Sequence, residues 1–271
     1  MNKTSLALLS ALTIGSLSLR AQTATAPAPA PAVPAAPAAP SLSVTITPTF
    51  ASQYMFRGQR LGGPAFEPTV ELGYGNFIAG VWSNFPLKDK VVGQSDPEFD
   101  FYGSYTSAVS DTLSFVPGFT VYTYPNAKSA DGFYKLTFEP SLAVNYTVSD
   151  IKFTPKIFYD FVLDGPTFEF TAAYALPLKD LGTELDFTGV YGTYLANDFL
   201  KDAAPRTKAW GNYWLVGVSA PFQITKESKV SVGFAYTKGD SAYLKAGSQP
   251  RSTNTAAVGR GVVTVSYSYA F

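Results

Sequence analysis

The 271-residue sequence contains no cysteine and no histidine. Without cysteine there is no disulfide, no thiolate nucleophile and no thiolate metal ligand. Without histidine the usual general base near neutral pH is missing, and so is the commonest transition-metal ligand. Hydrolytic mechanisms built on either residue are excluded. Acid–base chemistry would rest on Asp and Glu alone, with a carboxylate displaced far from its ordinary pKa. The expectation is a protein that is not an enzyme, with no cofactor and no metal site. Charge is also sparse: Asp, Glu, Lys and Arg make up 15% of the residues, against roughly 25% in ordinary soluble domains. Twenty basic residues balance 20 acidic ones. This leaves no basic field for nucleic acid and no polybasic patch for an anionic membrane surface. Beyond the N-terminus, no apolar run reaches the ~18 residues of a membrane-spanning helix.

What the sequence does have is aromatic residues, 15% of the total, with 17 Tyr and 21 Phe. An aromatic-rich, charge-poor chain without an apolar helix suits a β-barrel whose outer face meets lipid. The N-terminus fits export. Met1-Asn2-Lys3 is a short basic start, Leu6 to Leu19 is apolar and uncharged, and Arg20-Ala21 ends the run. The run is too short to cross a bilayer and reads as a signal peptide over residues 1–21, cleaved on export. Residues 22–42 are rich in alternating Ala and Pro, which favours an extended polyproline spacer with nothing large to bury, here a periplasmic linker.

From residue 43 to 271 the pattern has period two, broken by turn residues, as half-buried strands require. In one stretch Leu136, Phe138, Leu142, Val144, Tyr146 and Val148 share a face, while Lys135, Thr137, Glu139, Ser141, Asn145 and Thr147 share the other. Side chains alternate across a strand, so the first set can meet lipid and the second an aqueous lumen. The expected strands are 43–57, 65–75, 76–87, 97–109, 112–124, 133–149, 151–164, 166–177, 182–196, 210–223, 229–238 and 258–271. Tight connections (Gly75-Asn76, Ser110-Asp111, Ser149-Asp150, Lys179-Asp180, Lys226-Glu227) alternate with longer polar ones. This asymmetry matches periplasmic turns and extracellular loops. The fold class expected is all-β: a single-chain antiparallel transmembrane β-barrel of about twelve strands. Six prolines within these strands (Pro48, Pro68, Pro117, Pro140, Pro155, Pro221) argue against the list, since each removes a ladder donor. They are expected at bulges or near the membrane interfaces.

The last strand places Val265, Tyr267, Tyr269 and Phe271 on one face with small residues between. This resembles the terminal strand of outer-membrane barrels, which the barrel-assembly machinery reads. Pairing this strand with the first would remove both sheet edges.

Four phrases carry a family resemblance. Ser52-Gln53-Tyr54-Met55-Phe56-Arg57-Gly58-Gln59 resembles the Tyr-x-Phe-Arg-Gly motif of the TorF-like porin family of Gram-negative bacteria. Gly80-Val81-Trp82-Ser83-Asn84 resembles its Gly-Val-Trp-x-Ser-Asn stretch without the residue between Trp and Ser. Asp96-Pro97-Glu98-Phe99-Asp100-Phe101-Tyr102-Gly103 resembles the acidic strand that follows, and Tyr122-Thr123-Tyr124-Pro125 the Tyr-x-Tyr-Pro strand end. The resemblance covers the first third of the barrel in detail and implies an outer-membrane location and a porin-like channel, mostly of undefined substrate.

Alternation assigns Glu98, Asp100, Glu139, Asp160 and Glu169 to the lumen, with Lys135 and Lys156. Counted from the tight turns, Glu139, Asp160 and Glu169 fall at similar heights on neighbouring strands, as a constriction ring would. The function expected is passive diffusion of small hydrophilic solutes or ions, with a mild cation preference. The same charges would equally brace or block a small barrel, so a non-conducting structural or adhesive barrel with partner-binding loops stands as the alternative. Arg57 and Glu67 are expected to form an ion pair across the first hairpin. Inward aromatics (Trp82, Tyr102, Tyr122, Phe158, Tyr194, Tyr213) are expected to fill the lumen or stack on a solute. If a loop plugs the lumen, 239–257 is the longest candidate. The partners expected are the lipid bilayer, the assembly machinery and small solutes or ions.

Overall fold

The computed structural model describes residues 41–89, 96–127, 135–162, 164–197, 208–240, 244–245 and 257–271. The leader, nearly all of the Ala/Pro segment and the middles of several long connections lie outside the described residues. Twelve antiparallel strands form the wall. They are β1 (Leu42–Thr47, resuming at Thr49–Ala51), β2 (Ala65–Phe66 and Thr69–Tyr74), β3 (Phe77–Pro86) and β4 (Glu98–Tyr105, then Ser107–Ala108). Next come β5 (Leu113–Thr123), β6 (Leu136–Val148), β7 (Ile151–Asp160) and β8 (Gly165–Leu178). The last four are β9 (Thr183–Asn197), β10 (Lys208–Gln223), β11 (Ser228–Gly239) and β12 (Arg260–Ala270). Each strand pairs with its chain neighbours.

The barrel closes where β12 meets β1. Thr45 faces Ala270 and Ile46 faces Tyr269 low on the seam, and Ala51 faces Thr264 higher up. Phe271 N–H donates to Val44 O at 2.9 Å and Tyr267 N–H to Pro48 O at 3.1 Å. Closure leaves no edge strand, the condition for a sheet surrounded by lipid.

The wall is inside-out relative to a soluble protein. Phe101, Phe119, Phe138, Ile157, Phe170, Val216, Phe234 and Tyr267 are exposed on the outer face. Glu67, Glu98, Asp100, Thr137, Glu139, Lys152, Asp160 and Asp186 are buried within. The four strand-tip residues Val265, Tyr267, Tyr269 and Phe271 all lie exposed. This is the face assignment that alternation predicts: an apolar band for lipid around a polar lumen.

The turns follow from local chemistry. Ser149 and Asp150, at φ +46° and +68°, form a two-residue turn between paired Val148 and Ile151. Positive φ at both central residues matches the twist of the strands they join. Three prolines sit on the outer side of paired rungs, Pro117 opposite Leu142, Pro140 opposite Phe119 and Pro155 opposite Phe170, while Pro221 shares the inner face with its partner Ser231 near the end of β10. Pro48 and Pro68 sit where β1 and β2 are each interrupted.

The first expected strand needs correction. It does not run unbroken from 43 to 57, because the wall portion ends at Ala51. Residues 52–64 leave the wall, and within them Tyr54–Phe56 pairs with Gln59–Gly62 as a separate two-stranded hairpin.

Candidate functional site

The hairpin lies inside the barrel. Its tip is Arg57-Gly58, at φ +47° and +73°, a two-residue turn of the same positive-φ kind as Ser149-Asp150. Gly58 has a second reason to lack a side chain. A Cβ there would stand 2.4 Å from the backbone nitrogen of Gly239 on β11. The two backbones touch directly, with Gly239 N–H donating to Gly58 O at 2.9 Å.

On its other side the hairpin reaches the opposite wall. The Arg57 guanidinium donates to Glu139 on β6 at 2.8 Å. Its carbon lies 4.7 Å from the Phe56 ring centroid and 5.0 Å from that of Phe158 on β7. Glu139 also accepts from Tyr122 on β5 at 3.0 Å. Glu139 is only 1% exposed, so the paired guanidinium and the phenol replace water around its charge. Tyr54 donates to Glu98 on β4 at 2.6 Å, and Tyr124 donates to the other oxygen of Glu98 at 2.9 Å. The Tyr54 ring lies 5.7 Å from Trp82 on β3, and Phe56 meets Tyr122 edge-on at 6.0 Å.

The four phrases that carry the family resemblance therefore meet at one place, although they span residues 52–125. Trp82 stands opposite Asp100, Asn84 opposite Glu98, and Asp100 opposite Tyr122. Several buried polar atoms here have no hydrogen-bond partner among the described residues: Trp82 Nε1, both amide atoms of Asn84, Asp100 Oδ1 and Glu139 Oε2. In an aqueous lumen such atoms bond water or a passing ion.

The far wall under the hairpin is built differently. Ala51, Ala65, Ala235, Thr237, Val262 and Thr264 are buried there. A cavity of about 10 Å³, the space of one water molecule, lies between Met55, Glu67, Ala235 and Val262. One half of the cross-section thus presents carboxylates and phenols. The other presents small side chains that leave room for the hairpin backbone.

The candidate residues fall as follows. Glu98, Asp100 and Glu139 surround the hairpin. Glu169 accepts from Tyr213 at 2.7 Å, and Lys156 lies in electrostatic reach of Glu169, Glu139 and Arg57, with its ammonium 4.4 Å from the Phe158 ring centroid. Asp160 accepts from Thr137 at 2.5 Å and from Val162 N–H at 2.8 Å. Glu169 pairs with Lys156 while Asp160 pairs with Gly165, so the two carboxylates stand four rungs apart on the β7–β8 ladder. Lys135 is exposed just before β6.

The ion pair expected between Arg57 and Glu67 is not the one formed. Because the chain leaves the wall after Ala51, Arg57 is carried across the lumen to Glu139, and Glu67 remains by the small cavity beside Met55. The inward element is this first hairpin, and most of 239–257 lies outside the described residues. The inward aromatics serve the carboxylates: Tyr102 donates to Glu71 at 3.0 Å, Tyr122 to Glu139 and Tyr213 to Glu169. Sequence reading missed Tyr54, Met55 and Gly58 as site residues, since the first two continue a strand pattern. The Arg57-Gly58 turn was the available signal.

Closure, lipid-facing exterior and polar interior define a transmembrane β-barrel with an internal hairpin. The chain belongs to the Gcw_chp family, bacterial proteins of unknown function, which it matches over residues 34–269. No curated protein matches it. Solved structures of similar shape include the KdgM porin, at 12% identity and a TM-score of 0.49, covering 84% of this chain and 99% of that one. The NanC porin matches at 11% identity and a TM-score of 0.47, covering 83% and 98%. The outer membrane protease OmpT from Escherichia coli matches at 11% identity and a TM-score of 0.33, covering 85% and 96%. A barrel fold alone does not fix an activity, so function has to be argued from the lumen.

Proposed function

We propose that this chain is an outer-membrane channel for the passive passage of small hydrophilic solutes or ions, with a mild cation preference. The observation that carries the reading is the lumen: a closed barrel with an apolar exterior lines its interior with charged and polar side chains. A polar interior of this kind holds water and ions, as a porin lumen does. Cation preference is supported by the buried carboxylates Glu67, Glu98, Asp100 and Glu139 around the hairpin, of which Glu139 is paired with Arg57. The TorF-like porin assignment is supported by the convergence of its four phrases on this cluster. Placement in the outer membrane, with insertion through the assembly machinery reading Val265, Tyr267, Tyr269 and Phe271, is supported by their common outward face.

A second reading, a non-conducting barrel, is favoured by one observation: the hairpin touches β11 on one side and β6 on the other. Conductance of the purified chain in planar bilayers separates the two. Discrete channel events support the channel. Their absence, both in the native chain and in one whose hairpin is replaced by a short Gly-Ser link, supports the closed barrel.

A further inference from the structure

We propose that the hairpin Tyr54–Gly62 is the size-selecting gate of the channel, and that Arg57 is its latch. This rests on the channel reading above. The wall is complete without the hairpin. Beneath it Phe50 faces Phe66 and Ala51 faces Ala65, and beside it Ala51 faces Thr264, so β12, β1 and β2 stay paired up to the base of the hairpin. Among the described residues the hairpin strands pair only with each other. It can therefore swing as a unit about its base without breaking a rung of the wall. The base is fastened by Ser52, whose N–H donates to Val263 O at 2.9 Å and whose Oγ accepts from Val263 N–H at 2.8 Å.

A lone two-stranded hairpin is marginal in water, so its position depends on what holds the tip. That hold consists of the Arg57–Glu139 ion pair, the Tyr54–Glu98 hydrogen bond, the Gly58–Gly239 backbone bond and the ring contacts with Trp82 and Tyr122. Arg57 makes the longest reach, from the loop after β1 to β6, and it makes three contacts at once, with Glu139, Phe56 and Phe158. With the latch fastened, the cavity between Met55, Glu67, Ala235 and Val262 holds about one water. With it released, the volume that the hairpin fills between β6 and β12 is opened to larger solutes. The carboxylates beneath remain in place on the wall, so release changes the size limit and leaves the sign of the selectivity unaltered.

The absence of native cysteine makes the test clean. Met55, 2% exposed, is replaced by cysteine in the full-length chain and labelled with a charged, membrane-impermeant thiol reagent in proteoliposomes. Labelling is expected to be slow, and about tenfold or more faster when Arg57→Gln or Glu139→Gln removes the charge-assisted bond. In parallel, liposome swelling with sugars of graded size is measured for the native chain, for both latch variants and for the chain with Tyr54–Gly62 replaced by a Gly-Ser link. A cut-off that moves to larger sugars in the latch variants, and furthest in the hairpin-less chain, supports the gate. An identical cut-off in all four forms, with unchanged labelling, overturns it and leaves the channel standing. Swelling in none of them, the hairpin-less chain included, overturns the channel reading as well.

Discussion

At the scale of single residues, Arg57 and Glu139 carry most of the argument. A carboxylate buried to this extent is stable only while its partner is present, because its hydration is gone. Arg57→Met alone is expected to lower the barrel's stability by about 2 kcal/mol, since it removes the charge-assisted hydrogen bond that ties the hairpin to Glu139. Adding Glu139→Leu should restore much of that loss, so the double variant is more stable than simple addition predicts. Urea unfolding of the four forms measures this, and strictly additive losses would argue against a coupled pair. Gly58→Ala tests the tip from the backbone side. The substitution places a methyl against Gly239 and forces alanine to positive φ, so it should expose the Met55→Cys probe without touching any charge. Labelling unchanged by Gly58→Ala would show that the tip is not packed against β11.

At the scale of elements, the strands were legible and the hairpin was not. Period-two alternation reports which face meets lipid, and this is a physical demand at every position of the wall. Neighbouring residues of β8 make the demand measurable. Phe170 faces outward at mid-strand, while Thr171 faces the lumen. Phe170→Lys is expected to cost about 2–4 kcal/mol, the range for a lysine on the lipid face near the midplane. Thr171→Lys should cost far less. Equal losses in a stability assay in lipid would mean the face assignment is wrong. Tyr54, Met55 and Phe56 look like three more residues of β1 because apolar and aromatic side chains suit a lipid-facing strand and an inward hairpin alike. What diverts them is tertiary: the break at Pro48, the Arg57-Gly58 turn and the small side chains of Ala51, Ala65 and Ala235 that leave space. Arg57 and Glu139 are 82 positions apart in sequence, and no local pattern links them. The acidic residues of the lumen were legible as inward-facing. Their contacts with the hairpin, Glu139 with Arg57 and Glu98 with Tyr54, were not, because they depend on where the hairpin lands.

At the scale of the whole molecule, closure makes the barrel a membrane protein, and the hairpin decides how open it is. The seam between β1 and β12 is held by few bonds, among them those from Tyr267 and Phe271 to Pro48 and Val44. Tyr267→Pro removes one of these donors in the middle of the seam, where an unpaired carbonyl would face hydrocarbon. Such a chain is expected to fail to insert, seen as loss of the detergent-resistant folded form. Normal insertion would contradict closure through this strand. Cation-preferring conduction through the polar lumen past the acidic cluster is read from the reversal potential in planar bilayers under a KCl gradient. The native chain is expected to show a potential of the sign that marks potassium as the more permeant ion. The triple variant Glu98→Gln, Asp100→Asn, Glu139→Gln should bring it close to zero. An anion-selective potential in the native chain, or one unmoved by the triple variant, would contradict the account.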